Sequence, residues 1–312
     1  MLINISAIQP YLPGPLKFAL KPYYRTFLPN RLHVLLLPTF RCNYRCSYCT
    51  VVTKFAYTNE YSKTTERSAR DWIAALDRLP PAVIYVAGGE PFVYAELGEL
   101  INCLPEKHQV IGIVTNLSQP ARVYRKIKRK LHLNASFHRE FVQYQDFTAR
   151  IGELIDQFHI HVNIVATPEN LVVLREISEM MKSSKITLHV DPLVDPQFQY
   201  SDEDRDLLQK FIHKDRVPDE QLNFGDFSVK NCSAGRNYMC IVPNGDVYTC
   251  FGGLGYTKSP LYEEIVAGRT LPQFAMGNLF DEGFQPNRSD ILCALPCKEA
   301  CDRDSVRMKP VN

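Results

Sequence analysis

The segment HVLLLPTFRCNYRCSYC (33–49) decides how the rest of the chain is read. It joins a β-rich apolar run directly to a loop that carries Cys42, Cys46 and Cys49. The other cysteines are grouped as well: Cys232, Cys240 and Cys250 form a second set and Cys293, Cys297 and Cys301 a third, with Cys103 alone. No export signal is legible, so the expected compartment is reducing and cytoplasmic. Grouped cysteines there read as metal ligands rather than disulfides. Cys103, in the apolar pattern ELINCL, reads as core packing.

Working outward, short Val-, Ile- and Leu-rich runs alternate with helical patterns. The strands expected are 33–40, 82–87, 109–116, 131–137, 160–166 and 186–191. Their nearly continuous apolar character suits parallel strands covered on both faces. Helices are expected over 67–78, 93–103, 120–130, 146–158, 169–183 and 202–213, with Asp146, Asn170 and Asp202 standing where N-caps would. Six β–α units in series imply an α/β fold, a partial (β/α)6 TIM-like barrel with right-handed crossovers. The rhythm is lost over 192–231, and the remainder is rich in Cys, Gly, Pro and Asn. The expected organisation is an N-terminal extension (1–30), a barrel (31–215) and a small cysteine-rich domain (216–312) that a metal would help to hold.

Composition excludes several classes. A formal net charge of +2 marks no nucleic-acid binder, and no run approaches the about 20 apolar residues of a membrane helix. Prolines 10, 13 and 15 interrupt the apolar N-terminal segment, and no small-residue cleavage site follows, which argues against a signal peptide. The segment reads as a packed extension, or as a docking surface through Lys17, Lys21 and Arg25.

In a parallel α/β barrel the loops after the strands form the active face. Three thiolates on one such loop can hold three corners of a [4Fe–4S] cube and leave the fourth iron open. Structural zinc is the alternative, and it needs a further ligand from elsewhere. The C-x3-C-x2-C spacing, with Tyr48 before the last cysteine, resembles the signature of the radical SAM superfamily. The resemblance extends to Gly88-Gly89-Glu90-Pro91 after the second strand and to Thr115-Asn116 at the end of the third, where Leu117 stands in place of the family's glycine. It implies that Cys42, Cys46 and Cys49 hold a [4Fe–4S] cluster with an open iron site. It further implies that Tyr48, Gly88, Gly89, Glu90, Thr115, Asn116, Ser136 and His138 surround S-adenosyl-L-methionine. Glu90 is expected to meet the methionyl ammonium. Asn163, inside the fifth strand, reads first as a satisfied core group. The implied chemistry is one-electron cleavage of the sulfonium to a 5′-deoxyadenosyl radical that abstracts hydrogen from a substrate. A reductant such as flavodoxin or ferredoxin would supply the electron.

The second informative stretch runs from Cys232 through Pro243-Asn244-Gly245-Asp246 to Cys250, a turn signal between two β-like pieces that predicts a hairpin. Met276-Gly277-Asn278-Leu279 and the last cysteine group follow. This order resembles the SPASM or twitch extension of radical SAM enzymes. It implies a second [4Fe–4S] cluster on Cys232, Cys250, Cys297 and Cys301, with Cys293 and Cys240 as alternates and core packing the first reading of Cys240. Many relatives with such a domain modify a peptide or protein side chain, and others oxidise a small polar molecule of the aminosugar or cyclitol type. A non-catalytic electron carrier would have no use for Gly88, Gly89 and Glu90. The basic run RVYRKIKRK (122–130) reads as a solvated amphipathic helix.

Overall fold

The computed structural model describes residues 31–49, 66–183, 186–193, 198–211, 230–258, 274–293 and 308–310. The N-terminal extension, Cys297 and Cys301 lie outside the described residues. Six strands follow in order: β1 (Leu32–Leu36), β2 (Ala82–Val86), β3 (Gln109–Thr115), β4 (His132–Phe137), β5 (His159–Ala166) and β6 (Thr187–Pro192). Each pairs in parallel with the next. The connecting helices are α1 (Ala69–Asp77), α2 (Leu97–Cys103), α3 (Ala121–Tyr124), α4 (Tyr144–Gly152) and α5 (Pro168–Ser183), and α6 (Asp202–Leu208) follows β6. The series of six parallel β–α units expected from the sequence rhythm is thus present.

The face of the sheet toward the helices is apolar: Val34, Leu36, Ile84, Val86, Leu133, Ala135, Ile160 and Val162 pack on Trp72, Leu76, Leu100, Phe147, Ile151 and Leu174 in one buried cluster. Burial of these side chains supplies most of the stability of such a layer. The opposite, inner face differs from expectation. Along β4, β5 and β6, register places His132 beside His159, Asn134 beside His161, Ser136 beside Asn163, and Asn163 beside His189. These strands are therefore apolar on one face only, and the period-two alternation in HLNASF and HIHVNIVA is its sequence sign.

Local signals also moved. Pro168 opens α5 two residues before Asn170, and Thr167 Oγ1 accepts the Asn170 N–H at 3.3 Å. Ser201 caps α6 in a reciprocal pair with Asp204, leaving Asp202 in the first turn. α4 begins after Gln143, three residues before Asp146. The basic helix expected to reach residue 130 ends at Tyr124. Beyond it the chain is tied to neighbours instead: Arg125 Nη2 donates to Glu153 O at 2.7 Å, and Lys128 N to Asn102 Oδ1 at 2.8 Å. Cys103, the last residue of α2, is exposed rather than in the core.

The expected hairpin forms from β8 (Tyr238–Ile241) and β9 (Asp246–Tyr248), after β7 (Lys230–Cys232). At the turn, Gly245 has φ +92°, a conformation that costs other residues most. β10 (Ala275–Asn278) pairs with β9, and Asn278 Nδ2 donates to Asn244 O at 3.1 Å and Asp246 Oδ1 at 2.9 Å. This stitches the Gly-Asn-Leu element to the turn. β8 then pairs in parallel with β1, Leu35 opposite Cys240, so the barrel sheet continues into the C-terminal part as nine strands. Cys240 is fully buried in an apolar cluster with Leu35, Leu37, Tyr238 and Val242, which is the core role read for it. β11 (Ile291–Cys293) and β12 (Met308–Pro310) flank β7 in a small antiparallel sheet.

Candidate active site and iron–sulfur loops

The cysteine loop leaves β1 at the C-terminal edge of the parallel strands and runs beside the loop that leaves β2. Ala87, Gly89 and Glu90 donate their backbone N–H groups to Leu36 O, Thr39 O and Arg41 O at 3.0, 3.0 and 2.9 Å. The loops can lie this close because Gly88 and Gly89 carry no Cβ. A side-chain carbon on Gly88, whose φ is +133°, would overlap the Thr39 carbonyl oxygen. One on Gly89 would overlap Arg41 O and come within 2.6 Å of Phe40 O. Arg41 forks onto Glu66 at 2.7 and 2.8 Å, and the Thr39 hydroxyl reaches the same carboxylate. This pins the loop's first residues to the entry of α1.

Glu90 is 1% exposed. Its carboxylate accepts the Phe92 N–H at 3.1 Å and the Thr115 hydroxyl at 2.9 Å through Oε1, and the Asn116 N–H at 2.6 Å through Oε2. In this structure it stitches the end of β3 to the glycine loop. Asn116 thereby comes to Cys42: its Nδ2 lies 3.8 Å from Cys42 Sγ and 3.2 Å from Asn43 Oδ1. Leu117, at the family's glycine position, adopts φ +52° and is fully buried. The left-handed conformation costs a leucine about 1–2 kcal/mol, which burial of its side chain is of the size to offset.

Burial pushes the Glu90 carboxyl up to about 7 from 4.5, against the pull of its three donors. Between about pH 4.5 and 7 the folded chain holds a proton that the unfolded chain has released. Stability therefore falls as pH rises through that window, by at most about 3 kcal/mol. Urea unfolding of the metal-free chain from pH 5 to 8 should show this slope in the native protein and lose it in Glu90→Gln. Parallel curves for the two proteins would refute the assignment.

The other side of the cysteine loop is held by the residues after β4. Glu140 accepts the Ser47 N–H at 3.2 Å and its hydroxyl at 2.8 Å. His138 Nδ1 lies 3.2 Å from Cys46 Sγ and 2.7 Å from the Tyr48 hydroxyl. Burial pushes His138 down to about 4, so its ring is neutral near pH 7, and raises Tyr48 so that it stays protonated. Burial, with the neighbouring thiols, also pushes Cys42 up to about 11 and Cys46 up to about 12. Thiols of this kind surrender their protons when a cation takes their place. Ser136 sits one layer below His138 on the inner face, opposite Asn163. Asn163 donates Nδ2 to Asp191 Oδ2 at 2.9 Å, and its Oδ1 is buried with no hydrogen-bond partner. Asp191 Oδ1 meets His189 Nε2 at 2.9 Å. His189 and Asp191 were missed at the sequence level, although the alternation of β5 and β6 carries them.

In the C-terminal part, Cys232, Cys293 and half-buried Cys250 share one small apolar cluster with Ala234 and Phe274. Cys232 is pushed up to about 11 by burial and by Cys293 nearby. Cys250 Sγ accepts the Gly253 N–H at 3.1 Å, in the first turn of α7 (Phe251–Lys258). The alternate Cys293 is thus the third-group cysteine that the described residues bring to this place. Among the described residues, no three His, Cys, Asp or Glu side chains close around a single metal ion.

Residues 36–139 match the family model described as the radical SAM superfamily. That stretch includes the cysteine loop, the Gly-Gly-Glu-Pro loop and His138. Solved structures of the anSMEcpe protein share the fold. The native protein with bound AdoMet superposes with a TM-score of 0.51 at 14% identity, over 80% of this chain and 78% of that chain. The same protein with bound AdoMet and the Cp18Cys peptide gives 0.50 at 14% identity over the same shares. No curated protein matches the chain. Among the described residues no helix is long and apolar enough to cross a membrane.

Proposed function

We propose that the chain is a radical SAM enzyme that acts on a peptide or protein side chain. The observation that carries the reading is the clamping of the Cys42–Cys49 loop between Asn116 on one side and His138 with Glu140 on the other. Cys42, Cys46 and Cys49 would hold a [4Fe–4S] cluster. Gly88, Gly89, Thr115, Asn116, Tyr48, Ser136 and His138 would line the S-adenosylmethionine site. Glu90 would join them there and also shapes the loop, its carboxylate accepting three donors. When bound, the two groups supply one-electron cleavage of a sulfonium and a carbon radical for hydrogen abstraction. The protein's own work is positional: the glycine loop lets backbone approach the ligand, Glu90 fixes Asn116, and the aromatic rings of Tyr44 and Tyr48 shield His138. A flavodoxin or ferredoxin would deliver the electron. Support for a peptide substrate comes from the anSMEcpe structure, which contains a bound peptide.

We assign residues 31–215 to the barrel and 216–312 to the auxiliary-cluster domain. In that domain Cys232, Cys250 and Cys293 are the ligands favoured by their shared cluster, with Cys297 or Cys301 available for a fourth iron. A second reading, oxidation of a small polar molecule, is favoured by the inner face of β5 and β6. There Asn163, His189 and Asp191 present acceptors to a donor-bearing substrate. The deciding experiment for the common chemistry is anaerobic reconstitution followed by S-adenosylmethionine and dithionite. Release of 5′-deoxyadenosine is expected. A fully iron-loaded sample that releases none would leave only an electron carrier.

A further inference from the structure

We propose that His138 donates its Nδ1–H hydrogen bond to the Cys46 thiolate and so raises the reduction potential of the cluster on Cys42, Cys46 and Cys49. This rests on the reading of that loop as a cluster site and adds a positioning residue to it. The contact joins residues far apart in sequence, Nδ1 to Sγ at 3.2 Å. The ring has little freedom to leave it. Tyr44 meets it edge-on at 5.9 Å and Tyr48 stacks against it at 6.0 Å. The carbonyl of His138 is held by the Phe141 and Val142 N–H groups at 3.0 and 3.2 Å.

The direction of the hydrogen bond follows from ligation. A neutral imidazole carries one N–H, on either nitrogen. A free Cys46 thiol can donate to Nδ1, but an iron-bound thiolate can only accept, so ligation selects the Nδ1–H tautomer. Tyr48, 2.7 Å from the same nitrogen, must then turn its hydrogen elsewhere. The side chain of Asn170 is near the Tyr48 hydroxyl, and Asn170 is 2% exposed. Its Nδ2 is engaged by Val165 O at 2.7 Å while its Oδ1 has no hydrogen-bond partner. A Tyr48 hydrogen turned toward Asn170 Oδ1 would give that atom the partner it lacks.

A donor to a ligating sulfur stabilises the more negative, reduced cluster, so it raises the potential. Cys42 is served differently, by the Tyr44 N–H at 3.3 Å and by the more distant Asn116 amide. The potential should therefore respond to a side-chain change at position 138.

The test is a potentiometric titration of the cluster-loaded full chain, followed by electron paramagnetic resonance, reading the signal that S-adenosylmethionine perturbs. His138→Leu, which removes the donor at similar volume, is expected to lower the midpoint potential at unchanged iron content. His138→Asn places an amide N–H where Nδ1 stands and is expected to recover most of the difference. His138→Gln places its amide where Nε2 stands and is expected to stay low. Should the leucine variant lose its iron, the Asn and Gln variants decide: a higher potential for Asn supports the proposal, and equal potentials overturn it. An unchanged potential in His138→Leu overturns it outright. So does Tyr48→Phe lowering the potential as far as His138→Leu, because the effect would then belong to the Tyr48 hydroxyl rather than to the imidazole donor. A native protein with no signal that responds to S-adenosylmethionine defeats the cluster reading itself, which keeps the two failures apart.

Discussion

Gly89→Ala is expected to empty the Cys42–Cys49 loop of iron while leaving the helix-covered core folded. The added carbon would overlap Arg41 O and lie 2.6 Å from Phe40 O, and both are backbone atoms that cannot swing aside. Arg41 O also accepts the Glu90 N–H at 2.9 Å, so moving it breaks the contact between the two loops. The next residue is Cys42. Overlap of this kind belongs with the largest single-residue effects, on the order of 4 kcal/mol, and it falls on the loop that presents the ligands. Iron after reconstitution should drop from about eight to about four per chain, and 5′-deoxyadenosine should disappear. Gly152→Ala is the control: nothing lies within 4 Å of its added carbon, and the iron content should not change. A Gly89→Ala protein with full iron would show that the two loops need not touch.

The second large effect separates the two cysteine sets. Serine at Cys42, Cys46 and Cys49 together should remove about four irons and all S-adenosylmethionine cleavage. Serine at Cys232, Cys250 and Cys293 together should remove a different four and leave slow, substrate-free cleavage in place. Full iron in the second variant would assign the remaining ligands to other residues. About four irons in the native protein would remove the auxiliary cluster from the proposal altogether.

These predictions depend on features that the sequence revealed unevenly. All six barrel strands were legible because long Val-, Ile- and Leu-rich runs recur between helical patterns, and the Pro-Asn-Gly-Asp turn announced the hairpin of β8 and β9. The polar inner face of β4 to β6 was less visible. Its alternation is diluted by the continuous apolar runs of β1 and β3, and no single residue in HIHVNIVA announces that the Asn163 side chain will bond to Asp191. Helix ends were read less well. Asp146, Asn170 and Asp202 are good capping residues, but Gln143, Thr167 with Pro168, and Ser201 hold those places, because one suitable side chain close to another leaves the sequence degenerate. Cys103 shows the same limit: ELINCL is apolar in pattern, yet the last residue of a short helix faces outward. The contact of His138 with Cys46 joins residues on opposite sides of two β–α units, and spacing cannot reveal such a pair.

The parallel pairing of β8 with β1 has a consequence for how the protein is made. Leu35 finds Cys240 across a separation of about two hundred residues. Synthesis at about 5–20 residues per second puts an interval on the order of 10–40 s between the two. During that time the strand that feeds the cysteine loop is paired on one side only. Contacts so distant in sequence are the slowest to form. The nascent chain thus completes the support of its first cysteine loop only when its last third has left the ribosome, which couples the shape of that loop to the integrity of the whole polypeptide.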